Sequence, residues 1–589
     1  MIALEEKQPD GVFRKPSLIA GATKKMALTY VFGAVCAASI AVVDSLIAGV
    51  SIGQEALAAI AAAGPLLSID QILHCMLGFG IEKLMVQAIG EGDHKKADRI
   101  FGAILIAVLV VYGFACGVLL IIQRPLLRAI MGDSPLVDMT VRYTAPLLIF
   151  AAFSETLLCI ERAFRIDGRA KLFSMRSIVT NIANIVFDIL MVSVFNLGIS
   201  GLALASVISV MLGYTVTLSH FFSKKRTVSP DFSVIHSPKE LLGYVKQDMR
   251  LGSSATLDEV MDSMAISAQT AAIGAIGGPG GLAIWTVFKS LRGVVISAGN
   301  GVSASVSVHT GLLFGQKDYD GVRYSVRSGI RTALLLAMAS MQIMLMFASP
   351  LADIYKIDPE IQTLGAQCLR IGCLAFPAIV FLNVLTIYLP SVNETKLAGR
   401  LVFLEHCLAI VAAAIGASSG VAVFFLVYVI AVVVTSLVAT FMLVRNKHWF
   451  VPKSNPAEIV GYSICLEPDQ IEALRSNLDQ ILPSKEYPYQ LCSRVSLVVE
   501  ESLSYIAQQN TGSSIDVDVG VKQEENGLLV MITDSGRPYN PLAETTTRDI
   551  TKSGVLETRI FLGYSEEVDY DRVLDLNRIS LHLVAPEAT

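Results

Sequence analysis

Twelve apolar segments, each long enough to cross a membrane, most constrain how this chain can fold. They lie near residues 27–50, 56–80, 99–122, 140–160, 174–195, 199–222, 250–274, 281–309, 327–349, 364–388, 401–417 and 420–444. A helix needs about 20 predominantly apolar residues to span the hydrocarbon core of a bilayer. Because 53% of the 589 residues are hydrophobic, we predict an all-α polytopic membrane protein with twelve transmembrane helices rather than a soluble enzyme.

Positive charge is concentrated on the connections that would share one side of the membrane. These connections contain Lys24, Lys25, Lys95, Lys96, Arg99, Arg162, Arg165, Arg169, Lys171, Lys224, Lys225, Arg226, Arg323 and Arg327. The opposite connections hold little beyond Arg124, Arg128 and Lys356. This asymmetry predicts that both termini are cytoplasmic. With no signal peptide visible in the polar first 25 residues, we expect a multi-pass protein of a bacterial plasma (inner) membrane.

Sequence patterns in the first half of the membrane region recur in the second half. Val43-Asp44-Ser45 is echoed by Met261-Asp262-Ser263, and Gly78-Phe79-Gly80 by Gly299-Asn300-Gly301. We therefore predict two six-helix lobes, residues 26–222 and 250–445, joined by a cytoplasmic linker, 223–249, and preceded by a cytoplasmic segment, 1–25. Parallel repeats of this kind place the substrate between the lobes, near the middle of the bilayer.

Four polar residues inside the first-lobe segments predict a cation site. Asp44 lies in the first apolar segment, Asn184 and Asp188 lie one helical turn apart in the fifth, and Ser206 lies in the sixth. Carboxylates at membrane depth are expensive to bury, and they commonly bind ions or carry protons. Two carboxylates, an amide and a hydroxyl suit Na⁺, whereas two nearby carboxylates also suit H⁺. The alternative is that Asp44 and Asp188 only bond across helices to fix their packing.

Further charges inside the predicted spans are candidates for a substrate cavity. Asp70 and His74 lie in the second span, Asp258 and Asp262 in the seventh, and Lys289 and Arg292 in the eighth. They could line a substrate-binding wall or form internal ion pairs that hold the lobes closed. The cations Lys289 and Arg292 favour an anionic or zwitterionic substrate over a purely cationic one.

The last part of the chain differs in composition from the membrane region. Residues 456–589 contain 22 acidic and 10 basic residues, in a chain whose net charge is −5. Beyond a linker at 446–460, residues 461–589 show helical patterns at Gln470–Leu482 and Gln490–Gln508 and strand patterns at Ser514–Val521 and Leu528–Asp534. We predict a soluble α/β sandwich domain in the cytoplasm, and the acidic charge argues against a nucleic-acid partner.

The membrane motifs resemble those of the MATE (multidrug and toxic compound extrusion) family over roughly residues 20–445. The resemblance rests on the Asp44 motif, the EALAAIAAAGPL run, the Gly-x-Gly and Gly-Glu-Gly-Asp segments, Asn184-x-x-x-Asp188 and GLALA-Ser206. It implies a secondary antiporter that exports small amphipathic compounds in exchange for H⁺ or Na⁺ by alternating access, without another cofactor. It also implies that Asp44, Asn184, Asp188 and Ser206 form the coupling-ion site, although the family often has Thr at the last position.

The tail resembles the ATP-binding fold of histidine kinases and anti-sigma-factor kinases. The similar segments begin at Leu497, Ile532 and Ser565. The resemblance would place a nucleotide site at Glu501, Tyr505, Asp534, Gly536 and Gly554. However, Tyr505 replaces the Asn that binds magnesium, and the segment at Gly554 is poor in glycine, which phosphate binding requires. The site is therefore predicted to be degenerate, with no ATP hydrolysis and doubtful ATP binding, in a regulatory domain that binds a cytoplasmic protein.

Two other functions fit the same sequence. One is a flippase for lipids or lipid-linked sugars, which would need a strongly cationic cavity. The other is a membrane sensor that signals through the tail. An ATP-driven pump is not expected because the chain has no G-x-x-x-x-G-K-[ST] segment.

Overall fold

A computed structural model describes most of the chain. The described residues are 17–47, 51–52, 56, 59–60, 62–167, 169–222, 227–354, 362–446, 449–452, 459–483, 487–511, 515–524, 527–539, 541, 563–565 and 567–584. They divide into a helical unit, Thr23–Asp318 with Ser325–Val451, and a second compact unit that contains the tail from Pro452 onward. Each unit is described by itself below.

The first repeat consists of long helices that run back and forth. Its helices are α1 (Ser17–Ile47), α2 (Gly64–Gly78), α3 (Ile81–Gly90), α4 (His94–Ala107), α5 (Gly113–Met131), α6 (Leu136–Ile166), α7 (Ala170–Asp188) and α8 (Gly198–Phe221). Short π-helical segments at Val108–Tyr112 and Ile189–Val194 follow α4 and α7.

The second repeat begins with one very long hydrogen-bonded helix. Its helices are α9 (Pro238–Gly315), α10 (Tyr319–Ile354), α11 (Gln362–Gly372), α12 (Phe376–Ser391), α13 (Thr395–Gly416) and α14 (Val421–Arg445). Within α9 the backbone breaks at Gly278, where φ is 54° and ψ is −150°. Because this conformation is open essentially only to glycine, Gly278 separates the seventh predicted span from the eighth.

Ten helical segments of the described residues are long and apolar enough to cross a membrane. The predicted spans 27–50 and 250–274 are not among these ten described segments, and residues 250–274 contain the charged Arg250, Asp258, Glu259 and Asp262. The second span ends at Gly90 rather than at residue 80, because the helical path continues past Gly78 and buries Glu82 and Lys83. Likewise α9 begins at Pro238, inside the predicted linker 223–249.

Equivalent turns in the two repeats share one backbone geometry. In the first repeat, the Gly92 N–H donates to the Ile89 carbonyl at 3.0 Å and the Asp93 N–H to the Ala88 carbonyl at 2.9 Å. In the second, Lys317 and Asp318 make the same bonds, to Phe314 and Leu313, at the same lengths. These turns follow α3 and α9, so the internal repeat is structural as well as sequential.

The glycines that precede these turns contact each other. A Cβ placed on Gly90 would lie 2.9 Å from the Gly315 Cα, and one on Gly315 would lie 3.0 Å from the Gly90 Cα. Two equivalent positions can touch in this way only where the axis that relates the repeats passes between them. Gly90 and Gly315 therefore mark a pseudo-twofold axis at one end of the helical unit.

The tail is a two-layer α/β domain. Its described residues form five antiparallel strands in the order β1-β2-β3-β5-β4. They are β1 (Ile459–Cys465), β2 (Asp516–Glu524), β3 (Gly527–Asp534), β4 (Glu567–Val573) and β5 (Leu576–Val584). Two helices, α15 (Pro468–Ile481) and α16 (Tyr489–Gln509), share a core with the sheet through residues such as Leu478, Val495 and Val530. The predicted helices and the β3 strand agree with these bounds within two residues.

Candidate functional site

The four residues predicted to form a cation site lie together in the first lobe. Asp44 is in the last turn of α1, Asn184 and Asp188 are in the last turns of α7, and Ser206 is in α8. Ser206 Oγ contacts Asp44 Oδ2 at 3.2 Å as a donor, and it also lies 3.1 Å from the Leu202 carbonyl. The Asn184 and Asp188 side chains interact with Asp44 as well.

Most of the polar atoms in this cluster have no hydrogen-bond partner. They are Asp44 Oδ1, both carboxylate oxygens of Asp188, and the amide oxygen and nitrogen of Asn184. Asp188 is 0% exposed and Asn184 is 1% exposed. Buried polar atoms are nearly always satisfied in folded proteins, so each exception needs an explanation. A cation held by the four oxygens would supply the interactions that these oxygens lack.

The surroundings of the cluster are apolar. Tyr143, Val192, Leu202 and Ala203 belong to one buried cluster next to these residues. In such surroundings two carboxylates repel each other strongly unless a cation lies between them. The oxygen atoms fit Na⁺, a hard cation, and the carboxylate pair also fits a proton. The described residues contain no group of three or more His, Cys, Asp and Glu side chains that could hold a metal ion.

In the second lobe, the aspartate that matches Asp44 is already paired with a cationic side chain. Asp262, the counterpart of Asp44, accepts a hydrogen bond from Arg292 at 3.2 Å. His406 lies 2.7 Å from Asp258 and 4.0 Å from Asp262. The internal ion pairs considered from the sequence therefore form here. Only the first lobe combines unpartnered carboxylate oxygens with an unpartnered amide among these described residues.

A cavity of about 340 Å³ lies between helices of the two repeats. Of the six charged residues proposed for it, only His74 and Asp258 line it. Asp70, Asp262, Lys289 and Arg292 do not, and that part of the prediction is not met by this cavity. The Asp70 carboxylate instead accepts a hydrogen bond from the Tyr112 hydroxyl. Lys289 is half-buried outside the lining.

The first-lobe wall of the cavity contains a bonded polar chain. Arg162 can only donate, so its contact of 2.8 Å with His74 requires an unprotonated Nε2. His74 Nδ1 then carries the proton and donates it to Glu155 at 2.7 Å. Nearby, Arg165 pairs with Glu82 at 3.2 Å. His74 in this chain is therefore neutral.

Several residues that line the cavity are not predicted to do so from the sequence. Arg162 and Arg165 were counted as charges of a connection, although Arg162 is buried at 7% exposure. Glu82 and Lys83 were placed beyond the second span, yet both line the cavity. The signal that could have found them is their spacing. They follow the Gly78–Gly80 break directly and precede another apolar stretch up to Gly90.

The cation site and the cavity lie at opposite ends of the lobe. Asp44 and Asp188 occur at the C-terminal ends of α1 and α7. Arg162 and Arg165, which line the cavity, occur near the C-terminal end of α6, the fourth span, which runs in the opposite direction to the first and fifth spans. The two sites share no lining residue.

In the tail, Asp534 is the aspartate of the nucleotide site that the resemblance implies, and other protein groups already donate hydrogen bonds to it. Asp534 accepts hydrogen bonds from the Gly536 N–H at 2.8 Å, the Asn577 amide at 2.8 Å and the Tyr539 hydroxyl at 2.6 Å. Burial raises the pKa of the Asp534 carboxyl, and these bonds lower it in part. Tyr539 packs on Tyr505 with ring centres 5.5 Å apart. Glu501 lies in α16, and Gly554 lies outside the described residues.

Two repeated helical lobes with a polar cavity between them define a class of membrane transporter. The MatE family model matches residues 30–190 and 263–415, more than half of the chain. The chain therefore belongs to the MatE family of membrane transporters.

Solved structures of this fold cover the chain widely at low identity. VcmN, a MATE transporter of Vibrio cholerae, is 19% identical with a TM-score of 0.67, covering 74% of this chain and 99% of its own. A Pyrococcus furiosus MOP superfamily transporter, for which a reversed pocket polarity suggests a different function, is 19% identical with a TM-score of 0.67, covering 75% and 100%. An outward-facing multidrug resistance MATE transporter is 20% identical with a TM-score of 0.66, covering 75% and 99%. No curated protein matches the chain significantly.

Proposed function

We propose that this transporter is a secondary antiporter that exports small amphipathic organic compounds in exchange for H⁺ or Na⁺. The coupling ion binds at Asp44, Asn184, Asp188 and Ser206. The observation that carries this proposal is the set of four buried oxygen atoms of Asp44, Asn184 and Asp188 that accept no hydrogen bond. The protein acts in a bacterial plasma membrane with both termini in the cytoplasm.

Coupling follows from the differential affinity of the ion for two conformations. An ion can shift a conformational equilibrium only by as much as it binds one state better than the other. When the site is empty, repulsion between Asp44 and Asp188 favours the conformation that separates their carboxylates. When a cation binds, the carboxylates come together and α1 moves relative to α7. Since the cavity lies at the other end of the lobe, this movement exposes the substrate to the opposite side of the membrane.

The tail serves as a regulatory module that binds a cytoplasmic protein rather than ATP. An adenine ring would have to displace three hydrogen bonds to Asp534. Tyr505 stands where the resembled fold has a magnesium-binding Asn. We therefore expect neither nucleotide binding nor hydrolysis by the full-length protein.

The decisive experiment measures efflux from proteoliposomes under imposed Na⁺ or H⁺ gradients. We expect gradient-driven efflux of an amphipathic dye by the wild type and its loss in Asp44→Asn and Asp188→Asn. Asp70→Asn is the matched control, because it removes a carboxylate of the same lobe that bonds to Tyr112 outside the cation site. The gradient that drives efflux identifies the ion.

Two results would contradict the proposal. Wild-type efflux in both Asp44→Asn and Asp188→Asn would exclude the cation site. Gradient-independent movement of lipid by the wild type, without dye efflux, would instead support a flippase.

A further inference from the structure

One cationic side chain in the cavity wall has unused hydrogen-bond donors. Lys83, in α3, lines the cavity and is 2% exposed, and its Nζ has no hydrogen-bond partner. The Phe79 ring lies 3.5 Å from this Nζ, measured to the ring centre. A cation–π contact of this kind offsets only part of the cost of burying an ammonium group. An anionic group in the cavity would supply what is missing.

The other cationic groups of the wall are already engaged. Arg162 donates to His74 and to the Gly78 carbonyl, and Arg165 pairs with Glu82. His74 is neutral, as its bonds require. Lys83 is therefore the cavity-lining cation, among the described residues, whose terminal nitrogen donates no hydrogen bond.

The opposite wall offers a free carboxylate. Asp258 and Glu259 both line the cavity from α9. Asp258 is bonded to His406 at 2.7 Å, whereas Glu259 makes no hydrogen bond or ion pair within the described part of the chain. Glu259 is half-buried and lies near Asp258 and Asp262, which are themselves bonded to His406 and Arg292. A cationic group on a ligand would be attracted to this wall.

We propose that the cavity binds zwitterionic amphipathic molecules, with Lys83 holding the anionic group and Glu259 the cationic group. The rest of the lining includes amides, such as Asn300 and Asn383, and apolar side chains, such as Ile387 and Val402. A molecule with only positive charge would meet Lys83 unpaired, and one with only negative charge would meet Asp258 and Glu259. This assignment names the substrate class of the proposed antiporter and rests on that function.

Asp248 is a competing partner for Lys83. Its carboxylate is 0% exposed and has no hydrogen-bond partner, and it interacts electrostatically with Lys83. It does not line the cavity. Asp248 therefore helps to balance the charge of Lys83 but leaves its donors free for a ligand. If Lys83 served only to balance Asp248, its removal would not change which ligands bind.

The test uses two probes that differ by one negative charge. Tetramethylrhodamine as the free carboxylate is a zwitterion, and its methyl ester is a cation with the same ring system. Binding of each to the purified full chain in lipid nanodiscs is followed by fluorescence anisotropy without any ion gradient. We expect the wild type to bind the carboxylate at least about tenfold more tightly than the ester, as for one charge-assisted hydrogen bond.

Substitutions test which residues cause the preference for the carboxylate probe. Lys83→Met should give the two probes equal affinity, and Lys83→Arg should keep most of the difference. Glu259→Gln should weaken both probes alike, because both carry the cationic ring. The control Lys289→Met makes the same change at a half-buried cation outside the cavity lining and should leave the preference intact. If Lys83→Met fails to fold because Asp248 loses its cation, Lys83→Met combined with Asp248→Asn replaces it.

The inference is overturned if the wild type binds the ester as tightly as the carboxylate or binds neither probe. It is equally overturned if the preference survives the loss of Lys83. These outcomes are separable from failure of the proposed function, since binding is measured without gradients. If the protein prefers the carboxylate probe but shows no gradient-driven efflux, the zwitterionic ligand class stands and the antiporter proposal is wrong. If it shows gradient-driven efflux but no such preference, the antiporter proposal stands and the ligand class is wrong.

Discussion

At the scale of single residues, Asp44 and Asp262 occupy matching positions in the two repeats but have opposite surroundings. Asp44 keeps an unpartnered oxygen beside the fully buried Asp188, whereas Asp262 is paired with Arg292. The same residue type therefore contributes differently to stability in each lobe. A buried carboxylate without a fixed partner lowers the stability of the fold when no cation is bound. A buried carboxylate that is paired with a cationic side chain cannot lose its partner without leaving that charge uncompensated.

This difference predicts opposite effects of the same substitution. Asp262→Asn should lower the unfolding free energy by about 1 to 3 kcal/mol, because it leaves the Arg292 guanidinium without its partner in a partly exposed pair. Asp44→Asn should not lower it, because it relieves repulsion with Asp188. Thermal unfolding in sodium-free detergent buffer measures both. Equal destabilisation by the two substitutions would contradict this account.

In the tail, the Tyr539 hydroxyl stabilises the charged form of a buried carboxyl. Tyr539→Phe should therefore raise the pKa of Asp534 further above 3.8 and destabilise the domain by about 1 to 3 kcal/mol at neutral pH. Asp534 is protonated as the pH falls through its raised pKa, so the effect should shrink in acid. Proteolysis of the full chain in urea at several pH values measures it, with the exposed Tyr564→Phe as the control. A pH-independent effect would argue against the charge as its cause.

At the scale of elements, the close packing of α3 on α9 depends on glycine. A Cβ on Gly90 would collide with the backbone of Leu312 and Gly315, which cannot move without displacing the helix. Lys83 lies on the same short helix, two turns earlier. The position of the cavity wall therefore depends on a contact at the pseudo-twofold axis.

Gly90→Ala should consequently destabilise the helical unit by roughly 1 to 3 kcal/mol through overpacking. Gly117→Ala is the matched control, since Gly117 lies in α5 with no atom within 4 Å of an added Cβ, where alanine favours the helix. The unfolding temperature and the rate of gradient-driven efflux should both fall in Gly90→Ala, and neither should fall in Gly117→Ala. If Gly90→Ala proved as stable as the control, the close contact would not constrain the lobes.

At the scale of the whole molecule, the helical unit and the tail have separate cores. The tail core involves α15, α16 and the strands, whereas the helical unit contains the cation site and the cavity. The helical unit and the tail domain are thus encoded in different parts of the chain.

A chain that ends at Pro452 should still insert and carry out gradient-driven efflux, because every residue of the cation site and the cavity lies before that point. Efflux from proteoliposomes, compared with the full chain and with the same truncation carrying Asp44→Asn, measures this. Loss of insertion would show that the helical unit needs the tail to fold. A changed rate with intact insertion would fit a regulatory tail.

The sequence by itself determined the membrane class, the repeated lobes and the four polar residues that lie together in the first lobe, for which cation binding remains the proposal. Long apolar segments can only be helices in lipid, and a duplicated pattern imposes its own symmetry. The sequence also located the tail helices, since amphipathic periodicity is local information.

Tertiary structure alone decided which intramembrane charges are free. Asp262 and Arg292 are 30 residues apart and meet only because α9 folds back at Gly278. Arg162 is among the charges predicted for a connection and Lys83 lies beyond the predicted second span, whereas both are buried by helices far away in sequence. Which charges pair depends on distances across packed helices, and no local sequence pattern contains those distances. The residues that line the cavity could therefore not be predicted from the order of residues.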